Sequence, residues 1–580
     1  MSRSRFRLVL GGLLAAAAAV RVGYVVAQPA CDPGFAAPAF DGGLYWEWAS
    51  RLAAGQGSPP GAFYLAPLYP HLLALAMRFA GAGYAAIYLA QHALTLVTAL
   101  MLAFVARRAA GDLAGIATAA CVVLYHPALF LASRPLGETV AIALLAFSLL
   151  AAGERRRAAT PLAGLAAGVA SLARPNLLVV PLLWAVARAW RRDFRGAVVL
   201  LAGVSIPVVP VAVLNFVTSG HFVPISANGG ITLYHGNGPG ALGVYTPPAG
   251  FSGAIELQRD EARRIASAET GRMLDDVDAD RWFAHRALAA RWSDPVATMA
   301  LVARRAVLTL DTAEHGLDDA PALDLNPWRW GAPLPFAVLL GLAVFGWACG
   351  VEVFLALVGC AATPLIFYVS SRYRLPFAVL LGVPAGIGAA RLVDAFADPA
   401  VARRRWRALA AGALAAAFAW LVPSGRMVRA ENAAGIVNRA VALKQRGDLQ
   451  AAEIAVRRAF VTDPGTPKGR FVLGSILEAE GNVEEAEVIY TDAVTRDPGD
   501  ADCAGNLAAI LLRRGAADEA IVVLRATLSR NPDHPVAWNN LVVALVAKGD
   551  RSGAAREAAT AKTRGVVLDA ELLRSVEAAR

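Results

Sequence analysis

Long apolar runs are the feature that most constrains the fold of this chain. They recur from the N-terminus to about residue 422 and are separated by short polar or basic segments. The runs cover residues 8–28, 82–105, 113–131, 136–152, 161–173, 177–187, 197–217, 333–348, 351–369, 375–392 and 408–422. Several of them approach the roughly 20 apolar residues that an α-helix needs to cross a bilayer. We therefore expect an all-α fold, a polytopic transmembrane helix bundle with about 11 spans.

The composition excludes a single soluble globule. Hydrophobic residues make up 57% of the chain and charged residues only 17%. The net charge of +10 does not require a nucleic-acid partner, because the arginine clusters flank apolar runs as the positive-inside rule describes. Five cysteines are scattered, without metal-ligand spacing or a disulfide framework.

Basic clusters set the expected topology. The clusters at 107–108, 154–157, 188–195 and 403–407 all face the cytoplasm if the basic N-terminus is inside and 11 spans follow. This arrangement puts the loops 28–81 and 218–330 and the C-terminal region on the extracytoplasmic side of an inner or plasma membrane. A cleaved signal peptide is the alternative interpretation of the first run.

A second domain is expected after the last apolar run. Gly447, Gly481, Gly515 and Gly549 recur every 34 residues, and alanines and Asp/Asn-Pro pairs keep the same period. This is the period of tetratricopeptide repeats, which are pairs of helices that stack into a solenoid. We therefore expect a tetratricopeptide α-solenoid over residues 432–580, with a surface for a protein or peptide partner and no chemistry of its own.

The first outer loop contains an acidic residue among aromatic ones. Asp41 precedes Tyr45, Trp46 and Trp48, and a Pro-Leu-Tyr-Pro segment containing Tyr69 follows. Trp and Tyr favour the membrane interface, which accounts for the aromatic residues. It does not account for Asp41, which we therefore regard as a candidate functional residue.

Four further charged residues lie beside apolar runs on the predicted extracytoplasmic side, where the positive-inside rule expects few basic residues. They are Glu138 at the start of a run, Arg174 in an Arg-Pro turn, and Arg372 and Arg374 in an Arg-Tyr-Arg segment. Ionisable residues in such places are functional candidates by default. The alternatives are a helix-dipole interaction for Glu138 and interfacial anchoring for the arginines.

The loop over residues 224–243 is rich in Gly and Asn. It contains Asn228, His235 and Asn237, and its glycines predict turns with close backbone approaches. No Gly-Lys-Ser/Thr follows, so it is not a nucleotide phosphate loop.

Together, these segments resemble glycosyltransferase family 39, the superfamily of protein O-mannosyltransferases and aminoarabinose transferases. The resemblance is carried by Asp41, the Pro-Leu-Tyr-Pro segment, the Arg-Pro turn, the Asn-Gly-Gly loop and the Arg-Tyr-Arg segment, and covers roughly residues 1–425. Gly42 stands where the family usually has Glu. A multi-pass membrane glycosyltransferase domain over residues 1–425 is thus expected.

The resemblance implies a site and a reaction. A sugar would pass from a polyprenyl-phosphate donor to a glycan, lipid or protein acceptor at the outer face, with Asp41 as general base and Glu138 as a second catalytic carboxylate. The implied substrate- and lipid-phosphate-binding residues are Arg372, Arg374, Arg174, Tyr45, Tyr69, Asn228, His235 and Asn237. No cofactor is implied as a requirement, no metal ligand is assigned, and a divalent metal stays open because relatives differ.

Two alternatives remain at this point. One is an oligosaccharide ligase or polymerase with a lipid-diphosphate donor, which also combines membrane spans with tetratricopeptide repeats. The other is a non-catalytic membrane scaffold whose repeats hold envelope proteins. A transporter is disfavoured, because the polar residues cluster on one face and not at the bilayer midplane.

Overall fold

Helices make up the fold throughout the described part of the chain. The computed structural model describes residues 2–31, 35, 40–154, 158–245, 251, 255–316, 334–347, 349–422, 425–466, 468–566, 568–569 and 572. Within these ranges no β-strand forms, and the sole β-pairing is an isolated bridge between Val244 and Val369. The all-α class predicted from the sequence is confirmed.

The chain divides into two compact units, Met1–Glu431 and Asn432–Arg580. The helices of the first unit are α1 (Arg3–Cys31), α2 (Phe40–Ala53), α3 (Leu68–Ala80), α4 (Tyr84–Ala110), α5 (Asp112–Leu124), α6 (His126–Leu131), α7 (Glu138–Ala152), α8 (Ala159–Ala173), α9 (Val179–Trp190), α10 (Phe194–Ser219), α11 (Gly229–Asn237), α12 (Ile255–Thr270), α13 (Asp276–Trp292), α14 (Pro295–Leu310), α15 (Phe336–Phe345), α16 (Val351–Ile366), α17 (Ser371–Ala397) and α18 (Pro399–Leu421). The division between the units falls inside α19 (Gly425–Gln445). The second unit continues with α20 (Leu449–Thr462), α21 (Gly469–Glu480), α22 (Val483–Arg496), α23 (Ala501–Arg513), α24 (Ala517–Arg530), α25 (Pro535–Lys548) and α26 (Arg551–Thr563).

Four helices of the described residues are long and apolar enough to cross a membrane. They are Arg3–Pro29, Tyr84–Ala110, Phe194–Ser219 and Ser371–Ala397. Six other apolar helices have only 10–17 residues. A helix of 15 residues is about 22 Å long, whereas the hydrocarbon core is about 30 Å thick. The predicted count of about 11 spans is therefore wrong by this measure, which finds four.

Proline explains why two of the apolar runs give short helices. The run over residues 113–131 breaks at Tyr125, whose extended backbone ends α5, and the next helix begins with Pro127 in its first turn. Arg174 adopts an extended conformation before Pro175, which ends α8 and begins a short 3-10 helix. Hydropathy alone does not reveal the break at Tyr125, whereas the break at Arg174 coincides with the gap between the predicted runs 161–173 and 177–187.

Small residues bring α8 and α10 into close contact. A Cβ atom at Gly164 of α8 would clash with the carbonyl oxygen of Leu200 in α10. Gly203 approaches α8 from the other side in the same way. Such small-residue contacts are typical of helix packing in membrane proteins. The contact fixes α8, whose C-terminal end presents Arg174.

The second unit consists of consecutive helix pairs. In this unit α21 packs against α22, α23 against α24 and α25 against α26. Gly447, Gly481, Gly515 and Gly549 follow helix ends with φ between 81° and 86°, a backbone conformation that glycine adopts without strain. The 34-residue glycine period of the sequence therefore reflects a repeated helix C-cap.

Candidate functional site

Four charged side chains from distant parts of the first unit form one ion-paired cluster, which we call the charge cluster: Asp41, Glu138, Arg174 and Arg372. Arg372 donates from Nε to Oε1 of Glu138 at 2.7 Å and from Nη1 to Oδ2 of Asp41 at 2.9 Å. Nη1 of Arg174 lies 3.1 Å from Oε1 of Glu138. All four residues are sequence-predicted candidates, and the structure brings them together.

Helix beginnings and ends position the cluster. Asp41 lies in the first turn of α2, and Glu138 is the first residue of α7. Arg372 is the second residue of α17, whose N-cap Ser370 accepts a hydrogen bond from the backbone of Tyr373. Helix N-termini favour negative charge, so the two carboxylates lie where the backbone dipoles stabilise them.

Exposure distinguishes the two carboxylates. The side chain of Glu138 is 1% exposed and that of Arg372 is 4% exposed, whereas the side chain of Asp41 is 22% exposed. Glu138 is thus enclosed and serves to hold the two guanidinium groups. Asp41 is the more accessible of the two carboxylates.

A cavity of about 180 Å³, here called the first cavity, adjoins the charge cluster. Five of the sequence-predicted residues line it: Asp41, Tyr45, Arg174, Asn228 and His235. Its further lining residues are Leu44, Tyr64, Leu65, Ala66, Ala173, Pro175, Asn176, Ser226, Gly229, Thr232, Tyr245, Gln258, Thr363, Phe367, Tyr368 and Tyr373. The first cavity therefore combines one carboxylate, one guanidinium group and a largely aromatic and polar wall.

Two of the lining side chains are buried and have polar atoms without a hydrogen-bond partner. Arg174 is 9% exposed, and its Nε and Nη2 atoms have no partner. His235 is 4% exposed, and its Nε2 atom has none either. Leaving such groups unpaired costs about 1–3 kcal/mol each, so each of them needs an explanation. A polar ligand in the first cavity supplies one.

Burial also fixes the charge state of the histidine. It lowers the pKa of His235 from 6.5 to about 4. The ring is packed against the rings of Tyr245 and Phe251, with centroids 5.2 and 5.4 Å away. His235 is therefore neutral at pH 7 and can donate or accept one hydrogen bond through Nε2.

Four predicted binding residues do not line the first cavity: Arg372, which belongs to the charge cluster, and three residues farther from the cluster, Tyr69, Arg374 and Asn237. Tyr69 donates to Gln91 at 2.8 Å, and its ring packs edge-to-face on that of Tyr45 with centroids 5.5 Å apart. Arg374 pairs with Glu314 at 2.6 Å and donates to backbone carbonyls of the loop after α14. The amide of Asn237 donates to the carbonyl of Ile366 at 2.8 Å. The side chains of Tyr69, Arg374 and Asn237 thus have partners within the protein, around the site.

Sequence reasoning missed several residues of the cavity wall. Tyr245, Tyr368 and Tyr373 form an aromatic wall, with ring centroids 5.5 Å apart for the first two and 5.0 Å for the last two. Tyr373 stands between the two predicted arginines of its segment, which was a usable signal. No sequence signal links Tyr245 to the site, because it comes from the loop after α11.

Among the described residues, one group of side chains is arranged closely enough to hold a metal ion: His221, Asp275 and Asp278. Asp275 accepts from Nε2 of His221 at 2.8 Å, and Arg281 contacts the other ring nitrogen at 3.1 Å. This group contains none of the predicted catalytic residues. In the charge cluster, both carboxylates are engaged by guanidinium groups.

Comparisons with known proteins concern the C-terminal part of the chain. A family model described as a tetratricopeptide repeat matches residues 477–527. The crystal structure of a tetratricopeptide repeat protein from Parabacteroides merdae is similar at 21% identity and a TM-score of 0.20, over 22% of this chain and 50% of that chain. No curated protein matches this chain. The match of the family model confirms the predicted repeat, and the second unit contains a tetratricopeptide repeat.

Proposed function

We propose that the first unit transfers a sugar from a polyprenyl-phosphate donor to an acceptor hydroxyl or amine at the outer face of a membrane. One observation carries the proposal. A reachable carboxylate, Asp41, and a buried guanidinium group with unpaired N–H groups, that of Arg174, line the same cavity. The first is the group that activates a nucleophile, and the second is the group that binds a phosphate.

The reaction balances with these two groups. Asp41 takes the proton of the acceptor O–H or N–H while the acceptor atom forms a bond to the anomeric carbon of the sugar. The bond from that carbon to the phosphate oxygen breaks, and the phosphate leaves with the electron pair. Arg174 stabilises the charge that develops on the phosphate where little water competes. The acceptor attacks opposite the leaving group, so the anomeric configuration inverts.

The other predicted residues have supporting roles in this proposal. Arg372 holds Asp41 and Glu138 in place, and Glu138 positions both arginines instead of transferring a proton. His235 and Asn228 lie on the wall of the first cavity, where they can bind sugar hydroxyl groups. No cofactor is needed for this reaction, and we assign no step to a divalent metal.

Membrane location is a part of the proposal that has its own support. Four helices long and apolar enough to cross a membrane support a location of the first unit in a bilayer, where a polyprenyl chain would also be dissolved. The positive-inside pattern of the arginine clusters favours the extracytoplasmic side for the first cavity. With the N-terminus inside, an extracytoplasmic repeat domain requires an odd number of spans, so the proposal includes a further crossing at the apolar run 408–422 besides the four candidates. Alkaline phosphatase fused after Arg580 should then be active, and an active cytoplasmic reporter at that position would reverse the topology.

The variant Asp41→Asn tests the chemistry. It keeps the shape of the side chain and removes the base, so transfer should fall by about 10²–10⁴-fold while binding of the polyprenyl phosphate persists. Asp112→Asn is a matched control, because Asp112 also lies in the first turn of a helix and pairs with an arginine, Arg107. Transfer at the wild-type rate by the purified Asp41→Asn variant would remove Asp41 from the mechanism.

The tetratricopeptide repeat supports a second candidate function, that of a protein-interaction scaffold. Stacked helical repeats of this class present extended surfaces to protein partners. Deleting residues 432–580 should abolish capture of such a partner and leave transfer to a small soluble acceptor unchanged. The scaffold role is not supported if Asp41→Asn abolishes every activity of the chain while the deletion of residues 432–580 abolishes none of them.

A further inference from the structure

A second cavity lies next to the first and has a different character. It has a volume of about 270 Å³ and is lined by Leu44, Glu47, Trp48, Arg51, Pro59, Ala62, Phe63, Tyr64, Leu65, Arg259 and Asp260. The first and second cavities share Leu44, Tyr64 and Leu65, which form the partition between them. The hydroxyl group of Tyr64 donates to Gln258 at 3.0 Å, which ties this partition to α12.

One helix connects the two cavities. Asp41, Leu44 and Trp48 are three and four residues apart on α2 and therefore lie on one face of it. Asp41 lines the first cavity, Trp48 lines the second, and Leu44 lines both. The rise between Asp41 and Trp48 is about 10 Å along the helix axis. A molecule held in the second cavity can thus extend across the partition toward the carboxylate.

Trp48 has an unused hydrogen-bond donor. The residue is 7% exposed, and its indole Nε1 is buried without a hydrogen-bond partner. The rings of Phe63 and His71 pack around it, with centroids 5.6 and 5.7 Å away. A buried Trp N–H normally finds a partner, so a polar atom of a ligand is the expected acceptor.

The remaining lining indicates which ligand fits. The charged residues of the second cavity are two carboxylates and two arginines: Glu47, Asp260, Arg51 and Arg259. Their formal charges cancel, which gives no preference for an anion. Aromatic faces next to polar groups of balanced charge suit a neutral ligand that has both C–H faces and hydroxyl groups. The volume is close to the lower limit of about 300 Å³ for ligand pockets, which limits the ligand to a small number of rings.

We propose that the second cavity binds the acceptor, and that the part of the acceptor bound there is a neutral sugar ring whose hydroxyl group accepts the hydrogen bond of Trp48. The inference rests on the proposed function, because it assigns the acceptor of that reaction. The sugar ring stacks in the aromatic part of the second cavity, and the nucleophilic hydroxyl passes the partition of Leu44, Tyr64 and Leu65 to reach Asp41.

Calorimetric titration of the full chain in nanodiscs tests this inference, with maltotriose and chitotriose as probes. At least one probe should bind saturably to the wild type. Trp48→Phe keeps the ring and removes the donor, so the dissociation constant should rise about tenfold, which corresponds to about 1.4 kcal/mol for one hydrogen bond. Trp190→Phe is the matched control at an 88% exposed tryptophan and should leave the dissociation constant unchanged.

Two outcomes overturn the inference. One is no saturable binding of either probe to the wild type, and the other is an equal dissociation constant in Trp48→Phe and the wild type. Binding of farnesyl phosphate, measured in the same nanodiscs with and without Arg174→Gln, separates this failure from that of the proposed function. If farnesyl phosphate binds and depends on Arg174 while the sugars do not depend on Trp48, only the acceptor assignment fails.

Discussion

Neutralising Glu138 should strongly destabilise the first unit. This carboxylate is 1% exposed and faces two guanidinium groups, with Arg372 at 2.7 Å and Arg174 at 3.1 Å. Glu138→Gln leaves both positive charges buried with only Asp41 to balance them. Breaking a buried ion pair on one side costs about 3–5 kcal/mol. The Gln oxygen still accepts a hydrogen bond from Arg372, so we expect the lower end, about 3 kcal/mol.

The assay is reversible unfolding of the full chain in mixed micelles, with SDS as denaturant and tryptophan fluorescence as the signal. Glu154→Gln is the matched control, because Glu154 pairs with Arg108 at side-chain exposures of 41% and 43%. Such an exposed pair contributes only about 0–1 kcal/mol. Adding Arg174→Gln to Glu138→Gln should recover part of the loss, because it removes the surplus positive charge. Equal unfolding free energies for Glu138→Gln and Glu154→Gln would refute the reasoning.

Three further predictions concern other parts of the chain. Arg174→Gln should raise the dissociation constant for farnesyl phosphate, whereas Arg374→Gln should lower stability and leave that constant unchanged; the reverse result would make Arg374 the phosphate ligand. The pKa of His235 is about 4 in the folded protein and 6.5 in the unfolded protein, so the unfolded protein binds the proton first as the pH falls. The contribution of the neutral ring to the free energy of unfolding is therefore complete above pH 6.5 and decreases by about 3 kcal/mol toward pH 4. The free energy of unfolding is measured against pH for the wild type and for His235→Gln, and the difference between the two curves isolates this contribution. Parallel curves would contradict it. Gly474→Ala should destabilise the repeat unit by about 1–3 kcal/mol, because its Cβ would overlap the ring of Tyr490; an unchanged unfolding midpoint would show that the ring moves aside.

The sequence indicated the members of the charge cluster but not their pairing. Each member was a separate candidate, because it is an ionisable residue beside an apolar run, where such residues are rare. The hydrogen bond between Asp41 and Arg372 joins residues 331 positions apart, and no local pattern encodes that contact. The same holds for Tyr245, which only the folding of a loop brings to the first cavity.

Helix geometry explains why the two arginines of the Arg-Tyr-Arg segment have different partners, Asp41 and Glu138 for Arg372 and Glu314 for Arg374. Arg372 and Arg374 both lie in the first turn of α17, where each residue turns about 100° around the axis. Arg372 and Arg374 are two positions apart, so their side chains leave the helix in directions that differ by about 200°. The two side chains therefore cannot both contact one phosphate. The predicted shared role of the two arginines would require a strand or a loop at this point instead of a helix. The N-cap Ser370 already indicates that a helix begins there.

The span count was wrong for a different reason. Hydropathy records where apolar residues occur, but helix length decides whether a segment crosses a bilayer. The described part of α15 has 10 residues and α16 has 16, although both helices are as apolar as the four helices that are long enough to cross a bilayer. Their core residues are buried against neighbouring helices, among them Phe336, Ala356 and Leu357. Burial in a protein interior and immersion in lipid favour the same composition, so the sequence did not distinguish them.

Charge transfer during the proposed reaction explains why the cluster is built from equal numbers of carboxylates and guanidinium groups. Before reaction, Asp41 and Glu138 balance Arg174 and Arg372. The donor phosphodiester has one negative charge, and the departing phosphate monoester gains a second one, since its second pKa is about 6. Protonation of Asp41 removes one negative charge from the cluster in the same step. The guanidinium groups are then in excess by one charge when the phosphate becomes more negative. The site thus gains attraction for the leaving group only as the bond breaks, which is the condition for lowering the barrier and not merely for binding substrate.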